Sequence, residues 1–203
     1  MDASQVAIRV MAFRDEPCRM LARWLRWAAG QGADVGYAYD VRPLDLAREQ
    51  VANAHLADWR AGSPRRYLLM IDVDVCPTAD SRDALLAADG PLVYLGYCGH
   101  QGSRGHVGDG DFGCGASRID AEALALVPKP WFRFDLEHDV LAACECDHFR
   151  RRAASVAIES RMVGLAWHLQ TIAIRPAPGA SPGIVSAWPE RMYHQSPEQG
   201  GTP

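Results

Sequence analysis

The sequence lacks most of what would place it in a special class. It has six cysteines in 203 residues, none in a CxxC pair. Only Cys144 and Cys146 stand close, as CxC. Neither a zinc ribbon nor a disulfide framework is expected from that spacing, and reduced cytoplasmic thiols fit better. No apolar run approaches the twenty or so residues that a membrane crossing needs. The start, MDASQVAIRV, has no basic stretch followed by an apolar one, so no signal peptide is expected. There is no internal repeat and no surplus of positive charge. A net charge of −4 gives no general attraction to nucleic acid or anionic lipid. Arg150–Arg151–Arg152, with Arg161 beyond, is the one local basic cluster, and it reads first as a solvated helix face.

What is present is an ordinary globular composition. Hydrophobic residues make up 48% and charged residues 23% of the chain, enough for one domain with a proper core. That domain is expected over residues 1–195, followed by a disordered tail, SPEQGGTP, over 196–203.

The most informative stretch is RRYLLMIDVDVCP, residues 65–77. Tyr67 to Ile71 is a continuous apolar run, the pattern of a strand buried on both faces of a mainly parallel sheet. Asp72 and Asp74 follow, and Pro77 is expected to stop the strand. Two carboxylates at i and i+2 on extended chain point the same way. At the C-terminal end of a buried strand they face the crevice where α/β proteins bind ligands. Like charges there call for a counter-ion, and a divalent metal shared with a substrate diphosphate supplies one. The bland alternative is a polar strand end.

Around that strand the pattern alternates. Val6 to Phe13 is a predicted strand ending at Arg14–Asp15. A helix follows from Cys18 to Ala29, with Leu21, Trp24, Leu25 and Ala28 on one face. Asp34 to Tyr39 is a second strand, ending in Asp40. A helix from about Leu46 to Arg60 turns Ala47, Val51, Ala54 and Leu56 inward. The βαβαβ order predicts a parallel sheet with right-handed crossovers. Further on, Ser81 to Ala88 is a predicted Ser-capped helix, Leu92 to Tyr97 a strand, and the glycine-rich 98–110 a loop. Phe112 to Ser117 reads as a small-residue strand and Asp120 to Leu126 as a short helix. A helix is expected from Asp139 to about Arg152, and a strand from Val163 to Ile174.

Several pieces together resemble the GT-A fold glycosyltransferases of the family-2-like group, of compact bacterial or phage type. LLMIDVDVCP is similar to that family's strand and DxD motif. Pro43–Leu44–Asp45–Leu46–Ala47–Arg48 resembles the preceding helix, where an Arg-Asn often stands; here Glu49 follows the Arg. Gly113–Cys114–Gly115–Ala116 falls at the family's small-residue strand, and Pro130–Trp131–Phe132 at its aromatic stretch. Glu145–Cys146–Asp147–His148–Phe149–Arg150–Arg151 resembles its Glu-Asp-x-x-Phe-Cys-Arg segment, with Gly164 near the glycine beyond. The insertion of Cys146 leaves either Glu145 or Asp147 in the catalytic place.

The resemblance implies a metal-dependent transfer of a sugar from a nucleotide-diphosphate sugar to an acceptor hydroxyl, inverting at the anomeric carbon. It implies Arg14, Asp15 and Asp40 at the base and ribose, and Arg48 at the diphosphate. Asp72 and Asp74 would hold Mn²⁺ or Mg²⁺, with Asp72 also near the ribose. His194, or alternatively His168, would stand where the family has a third ligand. The acceptor stays open among polysaccharide, lipid-linked sugar, protein and modified DNA base, as does the oligomeric state. Two other readings remain: a nucleotidyltransferase, against which AFRDEP lacks a phosphate-loop glycine, and a non-catalytic nucleotide-sugar-binding protein.

Overall fold

The computed structural model describes residues 2–12, 17, 19–39, 43–98, 113–137 and 140–168. Side chains of residues 97–98, 136–137, 140–143 and 167–168 are outside the description. Strand β1 (Val6–Ala12) is followed by helix α1 (Arg19–Gly30), β2 (Asp34–Tyr39), α2 (Leu44–Arg60) and β3 (Tyr67–Asp72). Both β2 and β3 pair parallel to β1, as the βαβαβ pattern predicts. The register sets Ala12 beside Tyr39 and Met11 beside Asp72. The C-terminal ends of these strands therefore share one edge of the sheet.

After β3 come β4 (Val75–Pro77), α3 (Ala79–Ala87), β5 (Leu92–Cys98), β6 (Ala116–Asp120) and α4 (Ala121–Leu126). A small hairpin, β7 (Asp135–Glu137) and β8 (Val140–Ala143), precedes α5 (Glu145–Ala154) and β9 (Ser160–His168). The main sheet has the order β2-β1-β3-β6-β5-β9-β4. Strands β6 and β4 run against the other five, so the sheet is mixed but mostly parallel.

The pleat of β3 divides the core. Leu69 and Ile71 pack with Val6, Ile8, Val10, Leu21, Trp24 and Leu85 on the face covered by α1 and α3. Leu68 and Met70 pack with Ala52, Leu56, Leu124, Trp131 and Phe149 on the other. Burying each of these large apolar side chains contributes about 1.5–3 kcal/mol. That two-sided burial is why this strand is apolar without alternation.

Several expected boundaries move. Pro77 does not stop the central strand. The strand ends at Asp72, Val73 and Asp74 form a turn, and Pro77 closes the short edge strand β4, where a missing N–H is tolerated. The helix expected from Asp139 begins only at Glu145, because residues 140–143 pair in the hairpin. The expected strand at 112–117 is β6, starting at Ala116. Helix α3 is capped by Thr78, whose hydroxyl accepts from the Ser81 N–H at 3.3 Å, and not by Ser81 itself. The Ser81 hydroxyl instead accepts from the Leu165 N–H at 2.9 Å. Gly164 permits that approach, since a Cβ there would stand 2.5 Å from Ser81 Oγ and 3.2 Å from its Cα. Residues 169–203 lie outside the described residues, including the end of the strand expected to reach Ile174 and the tail at 196–203.

Candidate active site

Arg48 is at the centre of the site. It projects from the second turn of α2 and is 1% exposed. Its Nη2 donates to both oxygens of Asp72, at 2.8 and 2.9 Å. Its Nε donates to Glu145 Oε1 at 3.2 Å, and its Nη1 to the Cys114 carbonyl at 3.3 Å. One guanidinium thus joins the end of β3, the start of α5 and the chain before β6. Burial works against its charge, but Asp72, Cys114, Cys146 and Glu145 outweigh that and hold it firmly protonated. Sequence reasoning set Arg48 at a donor diphosphate. In the structure its donors point into the protein and orient two carboxylates.

Asp72 is fixed from the backbone as well. Its N–H donates to the Gly115 carbonyl at 2.9 Å, and the next N–H, of Val73, donates to the Met11 carbonyl at 3.2 Å. Burial pushes the Asp72 carboxyl above its ordinary value; Arg48 opposes this, while Asp74 and Glu145 add to it. Asp72 and Asp74 therefore feel each other although they do not sit on one extended strand. Two carboxylates, Asp72 and Glu145, share one guanidinium, and Asp74 adds its charge close to Asp72. Neighbouring carboxylate oxygens are the hard donors that suit Mg²⁺ or Mn²⁺, so the residues present fit such an ion. Among the described residues no third His, Cys, Asp or Glu completes a three-donor group with Asp72 and Asp74.

The two candidate bases part company. Glu145 opens α5, is 6% exposed and shares Arg48 with Asp72. Asp147 is 32% exposed and pairs with Arg150 at 2.7 Å and Arg151 at 3.2 Å on its own helix. Arg14, Asp15, Asp40 and His194 lie outside the described residues, as does the side chain of His168. The first three come after β1 and β2 in the sequence, and it is the C-terminal ends of those strands that share a sheet edge with Asp72.

Sequence reasoning missed Glu49, where it saw only a departure from Arg-Asn. Its Oε2 accepts the N–H groups of Trp131 and Phe132 at 2.9 and 3.0 Å. Trp131 is core, with its indole N–H donating to the Val127 carbonyl at 2.9 Å. Phe132 stacks on Phe149 of α5, ring centroids 4.8 Å apart. Arg48 and Glu49 thus hold α5 from neighbouring positions, one through Glu145 and the other through the aromatic stretch. His148 adds a third tie, its Nδ1 3.1 Å from Asp135 and its Nε2 3.3 Å from the Pro130 carbonyl. The signal for Arg48 was helical spacing: positions 48, 52, 55 and 56 form the buried stripe of α2, and Ala54 is exposed.

No protein-family model and no curated protein matches the chain. Solved structures do. A197 from STIV is similar over 82% of this chain and 86% of its own, with a TM-score of 0.57 at 15% identity. The catalytic domain of the Drosophila beta1,4-galactosyltransferase 7, in complex with xylobiose, is similar over 78% of this chain and 65% of its own, with a TM-score of 0.47 at 15% identity. A glycosyltransferase involved in the glycosylation of the major capsid of PBCV-1 is similar over 80% of this chain and 92% of its own, with a TM-score of 0.47 at 12% identity. The likeness is one of fold. The fold shared with A197 from STIV is an α/β architecture, one mostly parallel sheet with flanking helices. Among the described residues no helix is long and apolar enough to cross a membrane.

Proposed function

We infer that the chain is a glycosyltransferase that moves a sugar from a nucleotide-diphosphate sugar to an acceptor hydroxyl, with inversion. The observation that carries this reading is the meeting of Asp72 and Glu145 on buried Arg48, beside Asp74, at the C-terminal edge of the sheet. That edge is where α/β sheets bind ligands. Arg14, Asp15 and Asp40, next in the sequence after β1 and β2, would receive the base and ribose.

Asp74, with Asp72 held beside it, would hold Mn²⁺ or Mg²⁺. Such an ion, when bound, offsets charge on the departing diphosphate. His194 would be a further ligand. Arg48 acts as a positioning residue: it fixes both oxygens of Asp72 and aims Glu145. Glu145 accepts the acceptor's hydroxyl proton as the new O–C1 bond forms and the C1–O bond to the diphosphate breaks. Asp147 is less suited, because two arginines of its own helix occupy it.

A thermal-shift screen of nucleotide sugars with and without Mn²⁺ tests the reading, since a ligand of the native state raises Tm by mass action. Stabilisation by one nucleoside diphosphate sugar, dependent on Mn²⁺ and lost in Asp74→Asn, is expected. A shift by nucleoside triphosphates alone would favour a nucleotidyltransferase, and no shift at all would remove donor binding. Once the donor is found, Glu145→Gln should lower kcat by at least about a hundredfold, the ordinary contribution of general-base catalysis. Asp147→Asn should cost less than tenfold, and the reverse order would exchange their roles.

A further inference from the structure

Beside the oxygen-rich site is a different donor set. Cys144, Glu145 and Cys146 each offer one ligand atom, and the three atoms lie within 4.8 Å of one another. Sulfur is the wrong donor for Mg²⁺ or Mn²⁺ and the right one for zinc. Tetrahedral ligands about 2.3 Å from zinc stand about 3.8 Å apart, so the three need to draw in by about an ångström, which side-chain rotation supplies. Cys114 is next to this group but outside it. It and burial push the Cys146 thiol up, so an ion has to displace that proton. The Cys114 N–H already donates to Cys146 Sγ at 3.1 Å, a contact that also suits a thiolate. Cys144 is only half-buried, which gives an ion a way in.

We propose that Cys144, Glu145 and Cys146 form a second metal site, selective for a soft divalent cation of the zinc type and distinct from the Asp72–Asp74 pair. One divalent ion replaces two thiol protons, so the net charge facing Arg48 is unchanged on binding. The ion takes Glu145 away from Arg48. If the proposed transferase chemistry holds, zinc is therefore an inhibitor that Mn²⁺ does not displace. The binding itself does not depend on that chemistry.

Cobalt is the probe. In the reduced full-length protein, one equivalent of Co²⁺ should give a sulfur-to-metal charge-transfer band in the near ultraviolet and a tetrahedral visible band. Zn²⁺ should bleach both, and excess Mg²⁺ neither. Cys144→Ser and Cys146→Ser should each lower the charge-transfer band by at least half, while Cys76→Ser, outside the group, leaves it unchanged. Glu145→Gln should shift the visible band and keep the thiolate band. Serine is a good cap at position 144, so that variant should fold, as circular dichroism can check. A band that survives both cysteine substitutions, or no thiolate band from folded protein, overturns the site. Failure of the transferase reading would leave these spectra untouched.

Discussion

Arg48 and Arg118 are buried alike, each 1% exposed, yet they are neutralised by opposite means. Arg48 meets carboxylates, Asp72 and Glu145. Arg118, on β6, meets carbonyls. Its Nη1 donates to Leu86 at 2.8 Å and its Nη2 to Ala88 and Gly90 at 2.5 and 3.3 Å. It also lies over the Tyr67 ring, 4.8 Å from the centroid. Leu86 and Ala88 end α3, where carbonyls lack helical partners and the helix dipole is negative. Burial pushes the Arg118 guanidinium below its ordinary value, and Tyr67 and Asp120 resist only in part. Arg48 is held the other way. The Arg118 arrangement closes a helix end. The Arg48 arrangement brings carboxylates from distant parts of the chain together at a sheet edge, which closing a helix does not require, and that gathering marks the site.

The comparison breaks most visibly at Arg48. Arg48→Met leaves buried Glu145 and half-buried Asp72 without their partner and should cost about 3–5 kcal/mol in urea unfolding at pH 7. Part of that loss should return at pH 5, where the stranded carboxyls can take protons. A cost below about 1 kcal/mol at both pH values would mean the pair is not what holds Arg48. Arg118→Met removes hydrogen bonds to neutral carbonyls and should cost about 1–3 kcal/mol. The hydrogen bonds it loses end on neutral carbonyls, so the cost should depend less on pH than that of Arg48→Met; an equal pH dependence would erase the distinction.

The smallest effect concerns the unperturbed protein. The folded state holds the Asp72 proton more tightly than the unfolded chain does. The stability this contributes is complete below the ordinary carboxylate value and is lost as pH rises through the raised one. Metal-free protein should therefore lose stability over that window. Asp72→Asn should flatten the slope, and saturating Mn²⁺ should restore stability at the upper end. An identical slope in wild type and Asp72→Asn would assign the effect to another group.

Much of this was legible in the sequence. The apolar run at 67–71 and the βαβαβ order named β3 and the parallel strands β1 and β2 beside it, because burial on both faces favours an unbroken apolar run; the antiparallel β6 on its other side was not announced. The site was legible as residue types and less so as geometry. Asp72 and Asp74 looked like one face of a strand, but no local signal announces a turn between them. Hydropathy placed Ala54 inward on α2 and left Arg48 outside, since a charged residue looks solvated until its partner is known. That partner, Glu145, is 97 residues away. Glu49 was invisible for the same reason. The hairpin at 135–143 was hidden inside a charge mixture that reads as helix.

The edge strand β4 sets the order in which the molecule can be completed. It begins two residues after β3, yet it lies four strands away across the sheet. Four spacings come to about 19 Å, whereas three Cα steps reach about 11 Å, so the sheet has to curl back over its own carboxyl end. The curl is pinned by Val75 against His168, a closure across 93 residues. Contacts that distant along the chain form late. Strands β1, β2, β3 and β6, with the Asp72 end of β3, can pair as soon as β6 is present, but β4, which takes the chain on from Asp74, waits for the last described strand. A chain released before that strand would hold Asp72 in place and leave the segment after Asp74 without its strand partner.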